Sequence, residues 1–189
     1  MVGVSKGSTG IDANGNNTAR LMSSVLRGSG WSKKEYKVLI NKQATKQKVI
    51  NKIKEIESQA TKDDKVVIAF FCHGNKTGMR MQDAMLAHKE LRNLTADLKS
   101  EHQLFIIAHC NSGGAVDEGI DGITLAELNR LVVTSCGELS VDPCTHRYTR
   151  WAEKFLKQAL KEGQAYVDGE DGISIQDAVE FARTSNTVW

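Results

Sequence analysis

The amino-acid sequence predicts an α/β protein, a three-layer α/β/α sandwich around a mostly parallel sheet. Apolar runs of strand length alternate along the chain with segments whose apolar residues recur at helical spacing. Two of these runs, 65–71 and 104–108, are apolar at consecutive positions, which is typical of strands covered on both faces. The alternation of strand and helix then favours parallel pairing with helices on both sides. At 189 residues, with 40% hydrophobic and 25% charged residues, the chain is expected to form one domain spanning 1–189.

The first half of the chain contains three predicted strands and two predicted helices. A short apolar segment, 2–4, is the first strand. The next segment has four apolar residues on one helical face and is expected to end at Gly28, where a left-handed cap fits; these residues are Leu21, Met22, Val25 and Leu26. A strand over 36–40, a helix carrying the apolar positions 49–56 and the strand 65–71 follow.

The second half continues the same alternation. A helix carrying Leu91, Leu94 and Leu98 precedes the strand 104–108. A further clear strand covers 131–134, and apolar residues from Trp151 to Leu160 indicate another helix. A last helix is expected over 175–182, because Ser174 and Asp177 stand in the spacing of a capping box.

Charge and composition exclude several classes of function. The formal net charge is +2, which gives no electrostatic reason to expect nucleic acid or an anionic membrane as partner. No apolar run is long enough to cross a bilayer, and the first residues, MVGVSK, lack the layout of a secretory signal. Four cysteines in 189 residues do not form a disulfide framework, so we expect a reduced cytoplasmic protein.

Polar residues follow three of the predicted strands. Cys72-His73-Gly74 comes after the run 65–71, and a segment from His109 to Gly114 comes after 104–108. Ser135 and Cys136 follow 131–134. Because sites in parallel α/β sheets form outside the carboxyl ends of the strands, we expect these residues to share one edge.

A cysteine and a histidine on neighbouring strand ends are the minimum for nucleophilic acyl transfer. The thiolate attacks the carbonyl carbon, and the imidazole supplies the proton that the departing amine requires. Gly74 follows His73 directly, and Gly113 and Gly114 lie shortly after Cys110. Glycine lets the backbone approach a substrate and offer N–H groups to an oxyanion. The pattern therefore favours cleavage of a peptide or amide bond.

The two motifs FFCHGNKTG (70–78) and FIIAHCNSGGA (105–115) resemble the paired strand ends of caspase-like cysteine peptidases, the clan of caspases, metacaspases, paracaspases and legumains. VGVSKG followed by NNTARLMSSVL resembles that family's first strand and helix. Residues 150–182 resemble the C-terminal pattern of metacaspase-like and bacterial members. The resemblance covers nearly the whole chain, in order, and implies the caspase-like fold.

The resemblance also implies roles for individual residues. Cys110 would be the nucleophile and His73 the general acid/base. The N–H groups of Gly74 and Cys110 would form the oxyanion hole, and Ser135 would line the cleft. The implied activity is that of a cysteine endopeptidase that hydrolyses protein or peptide substrates through a thioester acyl-enzyme.

Two acids of the metacaspase pattern are missing. Ala108 stands two residues before the cysteine, and Thr18 stands near the start of the first helix, where metacaspases carry acids. A buried arginine or lysine side chain needs a carboxylate partner, so we expect a neutral or acidic P1 residue. The remaining candidates for substrate binding are Lys6, as an anion partner, and two acids of the loop after the strand 131–134, Glu138 and Asp142.

Alternative sites fit the sequence less well. Cys72, His73, His109 and Cys110, with Cys144 and His146, are zinc-type ligands, but they lack paired metal-site spacing, and we expect no metal site. A phosphatase loop would need an arginine where Val116 stands. The stretch 168–172 does not fit a calcium loop and is interpreted as a turn. We expect no cofactor, and a dependence on calcium stays open.

The rival from another functional class is a catalytically silent caspase-like module that binds or regulates a partner. The presence of both Cys110 and His73 favours the enzyme. Other thiols and imidazoles have structural interpretations. Cys72 and Cys136 are expected to fill the core or line a wall, and His109 to be structural because neighbouring strand positions point to opposite faces. The remaining histidines are expected at the surface: His88, His102 and His146.

Overall fold

The computed structural model describes residues 1–5, 14–117, 124–143, 147–167 and 171–184. The strands, in chain order, are β1 (Val2–Gly3), β2 (Leu39–Ile40), β3 (Lys65–Phe71), β4 (Gly74–Asn75), β5 (Gly78–Arg80), β6 (Met85–Ala87), β7 (His102–Ala108) and β8 (Arg130–Thr134). The helices are α1 (Gly15–Gly28), α2 (Lys46–Gln59), α3 (His88–Leu94), α4 (Arg150–Ala152), which continues as a π-helical segment (Glu153–Lys161), and α5 (Ile175–Thr184).

Five of the strands form the central sheet. Their order is β2-β1-β3-β7-β8, and every pair in it is parallel. The long pair β3 and β7 lies in its middle, as expected for the two runs that are apolar at consecutive positions. A second, antiparallel sheet of three short strands, β4-β5-β6, follows β3 directly. The carboxyl ends of the five parallel strands therefore share one edge, and the small sheet begins there.

The alternation of side chains along β3 and β7 builds two apolar cores, one on each face of the sheet. Ile68, Phe70, Phe105 and Ile107 pack with α2 and α3. Ala69, Phe71, Ile106 and Ala108 pack with α1, the Glu153–Lys161 segment and α5. Helices thus cover both faces, and the predicted three-layer α/β/α sandwich is confirmed.

Most predicted elements are present with shifted ends. The predicted strand 36–40 is paired only at Leu39–Ile40, and the helix expected to carry Leu98 ends at Leu94. The capping box of the last helix is confirmed: the Asp177 N–H donates to the Ser174 hydroxyl at 3.1 Å, and the Ser174 N–H donates to the Asp177 carboxylate at 3.0 Å. The small sheet was not predicted, because strands of two or three residues carry no periodic signal.

Within the described part of the chain, no helix is both long enough and apolar enough to span a membrane.

Candidate active site

His73 and Cys110 follow two paired strands at the same distance. β3 and β7 run in register as far as the pair Phe71 and Ala108. The Cys72 N–H donates to the Ala108 carbonyl at 3.2 Å and extends the ladder by one bond. His73 and Cys110 each lie two residues beyond the last pair, and both are half-buried. The structure therefore places the two predicted catalytic residues on adjacent strand ends at one edge of the sheet.

The backbone of His73 is held by the small sheet. Its carbonyl accepts a hydrogen bond from the Arg80 N–H at 2.7 Å, and the next residue, Gly74, pairs with Met79 across the hairpin of β4 and β5. The Asn75 side-chain oxygen accepts N–H bonds that close the hairpin turn. These bonds fix the direction in which the chain leaves β3, and so the position of His73.

The segment that carries the candidate nucleophile, residues 109–115, is called here the Cys110 loop. Asn111 takes the left-handed conformation, with φ of 61°, and its N–H donates to the Ser140 carbonyl at 2.7 Å. Asparagine tolerates this conformation better than most residues. A 3₁₀ turn, Ser112–Ala115, completes the loop. The chain thus reverses sharply just after Cys110.

Ser112 ties the Cys110 loop to the end of β8. Its hydroxyl is fully buried, accepts the N–H groups of Ser135 at 3.1 Å and Cys136 at 3.2 Å, and donates to the Cys136 carbonyl at 3.2 Å. Ser135 was predicted to line the cleft, and the structure places it beside this loop. It is itself buried, with 5% of its surface exposed.

Two glycines let the Cys110 loop pack between its neighbours. A Cβ atom on Gly113 would lie 2.4 Å from the Glu138 nitrogen, and one on Gly114 would lie 2.1 Å from the Lys76 carbonyl oxygen. Both distances are far below van der Waals contact. The loop is therefore held tightly between the turn of β4 and β5 on one side and the segment after β8 on the other.

His109 is structural, as predicted, and its partner is His88. The strand alternation directs His109 to the side of α3, where its ring meets that of His88 edge to edge, with centroids 5.4 Å and Nε2 atoms 3.3 Å apart. Both residues are buried, with 1% and 4% of their surface exposed. Burial lowers the pKa of each ring to about 4. The prediction of a surface position for His88 is wrong. Its charged neighbours are typical of an exposed segment, and only the packing of α3 brings its ring into a buried contact.

The other thiols of the described residues have structural environments. Cys72 is fully buried, and this burial raises the pKa of its thiol to about 12. The half-buried Cys136 sulfur lies 3.2 Å from the His109 carbonyl oxygen and 3.3 Å from that of Ser140, and its single S–H group can donate to either. A buried thiol with a raised pKa, such as that of Cys72, is a poor nucleophile. Cys110 therefore stays the candidate nucleophile.

The predicted substrate-binding residues lie in different environments. Lys6 is outside the described residues. The Ala108 side chain is 2% exposed and packs in the core on the side of α1. Glu138 is half-exposed, and a hydrogen bond and like charge from Asp117 raise the pKa of its carboxyl group. The backbone of Glu138 packs against Gly113 of the Cys110 loop.

Asp142 is buried beneath the same edge. It is 5% exposed, and neither carboxylate oxygen has a hydrogen-bond partner of good geometry among the described residues. Burial raises the pKa of its carboxyl group to about 6, against the smaller lowering effects of Ser135, Thr149 and the Trp151 N–H. Asp142 thus faces the end of β8 and the beginning of α4, and joins the candidate site to the C-terminal helices.

Changing Asp142 to asparagine is expected to alter the pH dependence of stability. Because the folded-state pKa of about 6 lies above the ordinary value of 3.8, the folded chain binds this proton more tightly. Its contribution to stability therefore falls as the pH rises from about 4 to about 6. The free energy of unfolding of Asp142→Asn relative to the wild type should rise by about 2 kcal/mol between pH 4.5 and pH 7.5.

Urea unfolding of both proteins at the two pH values measures this difference. The buried histidines act in the opposite direction, but both proteins share them and their effect cancels. Asp63→Asn, at an exposed position, is the matched control and should show no such change. A stability difference for Asp142→Asn that is equal at both pH values contradicts the assignment.

In the described part of the chain, no three His, Cys, Asp or Glu side chains lie close enough together to hold a metal ion. Cys144 and His146, weighed above as zinc ligands, lie outside the described residues, as do 168–170 of the stretch compared with a calcium loop. A groove of 680 Å³ lies at the amino end of β3, beside Trp31, Tyr36 and Lys65. It is at the opposite end of the strands from His73 and Cys110.

The fold and this edge define a three-layer α/β/α protein with Cys and His on adjacent carboxyl strand ends. Neither the known family models nor the curated proteins include a match to the chain. Among solved structures it is similar to protein GSU0716 from Geobacter sulfurreducens, a structural genomics target. The TM-score is 0.69 at 15% sequence identity, over 86% of this chain and 80% of that one. A likeness at this identity establishes the fold alone.

Proposed function

We propose that the chain is a cytoplasmic cysteine endopeptidase of the caspase-like kind, with Cys110 and His73 as its catalytic dyad. The observation that carries this proposal is the register of β3 and β7, which sets both residues two positions beyond the pair Phe71 and Ala108. Gly74, next to His73, and the Cys110 loop face each other across this edge. The resemblance of both motifs to those of the clan supports the same assignment.

The proposed reaction proceeds in two stages. The Cys110 sulfur, as thiolate, attacks the scissile carbonyl carbon and forms a C–S bond, and the oxyanion accepts hydrogen bonds from the N–H groups of Gly74 and Cys110. The tetrahedral intermediate breaks its C–N bond, and the amine leaves with a proton from His73. A water molecule then gives a proton to His73, the resulting hydroxide attacks the thioester carbonyl, and the C–S bond breaks to release the carboxylic acid and the Cys110 thiolate. The proton that His73 loses in the first stage is thus restored by water in the second.

The proposed peptidase prefers substrates with a neutral or acidic P1 residue. Thr18 stands at one of the two positions where metacaspases carry an acid; it is 1% exposed, and its hydroxyl donates to the Asn14 carbonyl at 3.0 Å. Ala108 stands at the second of these positions and is buried in the core. A basic P1 side chain would find no carboxylate at either position, and an unpaired buried charge is costly.

A fluorogenic peptide library with all twenty residues at P1 tests both the activity and the preference. We expect cleavage of peptides with small neutral or acidic P1 residues at a kcat/KM at least about tenfold above that for Arg or Lys. Faster cleavage after Arg or Lys would refute the preference and would point to Glu138, Asp117 or Asp142 as the missing acid.

The activity itself is decided by a second measurement on the same samples. Mass spectrometry of protein quenched during turnover should find the acyl group of the peptide on Cys110. The Cys110→Ala variant, matched in every other respect, should cleave nothing and carry no adduct. A wild-type chain that cleaves no member of the library and forms no adduct would favour the silent partner-binding module.

A further inference from the structure

One buried imidazole ring contacts both of the backbone segments proposed to form the oxyanion hole. The Nδ1 atom of His109 is 2.8 Å from the Cys110 carbonyl oxygen. A Cβ atom on Gly74 would lie 2.4 Å from the same Nδ1 atom, so the Gly74 backbone packs directly on the ring. The position and orientation of this ring therefore constrain the spacing between Gly74 and Cys110.

The contacts of the ring determine its tautomer. A carbonyl oxygen only accepts hydrogen bonds, so His109 Nδ1 carries a proton and donates to Cys110. Burial lowers the pKa of the ring to about 4, which keeps it neutral at physiological pH, and Nε2 then carries no proton. This unprotonated nitrogen is 3.3 Å from the Nε2 atom of His88. His88 Nε2 is therefore the donor of the bond between the rings.

His88 is itself held in place by the elements around the site. It is the first residue of α3, and its peptide N–H donates to the Thr77 carbonyl at 3.0 Å, in the turn between β4 and β5. Its ring is 4% exposed and lies edge to edge with that of His109, with an angle of 20° between the two ring planes. The hairpin that carries Gly74 and the ring that contacts Gly74 are thus both connected to one residue, His88.

We infer that His88 is a positioning residue: its Nε2–H group fixes His109 in the Nδ1–H tautomer and so fixes the spacing of the Gly74 and Cys110 backbone that a substrate oxyanion would enter. The inference deepens the proposed peptidase function and rests on it for its catalytic consequence. His88 does not touch the substrate. It acts through His109, whose contacts reach both segments.

Two substitutions at His88 separate its hydrogen bond from its volume. Glutamine places an amide N–H near the position of Nε2, whereas leucine fills a similar space without a donor. We expect His88→Leu to lower kcat at least about tenfold with KM within about twofold, because the misplaced donors act on the transition state. His88→Gln should keep kcat within about threefold of the wild type. Equal kcat values for His88→Leu and the wild type would overturn the inference.

Two readouts do not depend on turnover. The first is ¹⁵N NMR of histidine-labelled wild-type protein, a measurement that does not depend on the folding of any variant. It should show His109 protonated at Nδ1 alone and His88 protonated at Nε2 alone near neutral pH. In His88→Leu, His109 should lose its single tautomer, and the rate of Cys110 alkylation by iodoacetamide should change at least about threefold, with His88→Gln close to the wild type.

The readouts distinguish the failure of each proposal. The expected tautomers and alkylation rates in a chain that cleaves no peptide would refute the peptidase function and support the positioning of Cys110 by His88. A wild-type His109 protonated at Nε2 would overturn the inference, whatever the turnover. So would a folded His88→Leu with an unchanged His109 tautomer and unchanged Cys110 alkylation.

Discussion

Replacing Cys110 by alanine is expected to lower peptide cleavage by about 10⁴-fold or more and to leave the thermal midpoint little changed. The loss is large because the proposed acyl-enzyme forms its C–S bond through the Cys110 sulfur. The change in stability is small because Cys110 is only half-buried and its loop is held through Asn111, Ser112 and the two glycines. Steady-state cleavage and a thermal melt of the same sample measure both effects.

His73→Ala is expected to lower peptide cleavage by a similar factor, and the double variant should be no worse than either single one, because the two residues act as a unit in the proposed mechanism. Cys136→Ala is the control. Its thiol also lies near the Cys110 loop and can donate to the His109 or the Ser140 carbonyl, so its loss should reduce stability modestly and preserve turnover. Full activity in Cys110→Ala, or complete loss in Cys136→Ala, would show that the nucleophile is misassigned.

Replacing Gly114 by alanine is expected to reduce stability and activity together. The new Cβ atom would lie 2.1 Å from the Lys76 carbonyl oxygen and 2.8 Å from its carbonyl carbon, and backbone atoms cannot rotate away. The Cys110 loop and the turn between β4 and β5 must then separate. We expect a loss of about 2 kcal/mol in the free energy of unfolding and about a 10²-fold loss of kcat/KM.

Gly28→Ala is the matched control for the same chemical change. Gly28 is the last residue of α1, and an added Cβ atom would meet nothing within 4 Å. Its stability should stay within about 0.5 kcal/mol of the wild type, and its activity should be unchanged. Urea unfolding measures the stability of the two variants, and kcat/KM for a peptide substrate measures their activity. A Gly114→Ala protein as stable and active as Gly28→Ala would show that the loop is not confined as described.

The pattern of apolar residues predicted the middle of the sheet well. The runs 65–71 and 104–108 are the paired strands β3 and β7, and the polar residues after them do share one edge. The same pattern failed at short or edge elements. Only Leu39–Ile40 of the expected strand 36–40 is paired, and the sheet of β4, β5 and β6 was not predicted. Short strands depend on their partners more than on their own periodicity.

The sequence alone did not reveal how the candidate site is supported. His88 and His109 are 21 residues apart, and their buried contact requires α3 to pack beneath the end of β7. The links from Ser112 to Ser135 and Cys136 join segments 23 and 24 residues apart. Nothing in the flanking residues of His88 signals such a contact, since Lys89 and Glu90 are typical of a surface helix.

The sequence by itself determined the α/β architecture and the position of Cys110 and His73 at strand ends, because consecutive apolar residues indicate a strand that is buried on both faces. Only the tertiary structure decided that His88 is buried, that Gly114 has no room for a side chain and that Asp142 is buried beneath the edge. These properties arise from distances between segments remote in sequence, and local residue patterns carry no information about such distances. The order of the strands and the packing of the helices set them.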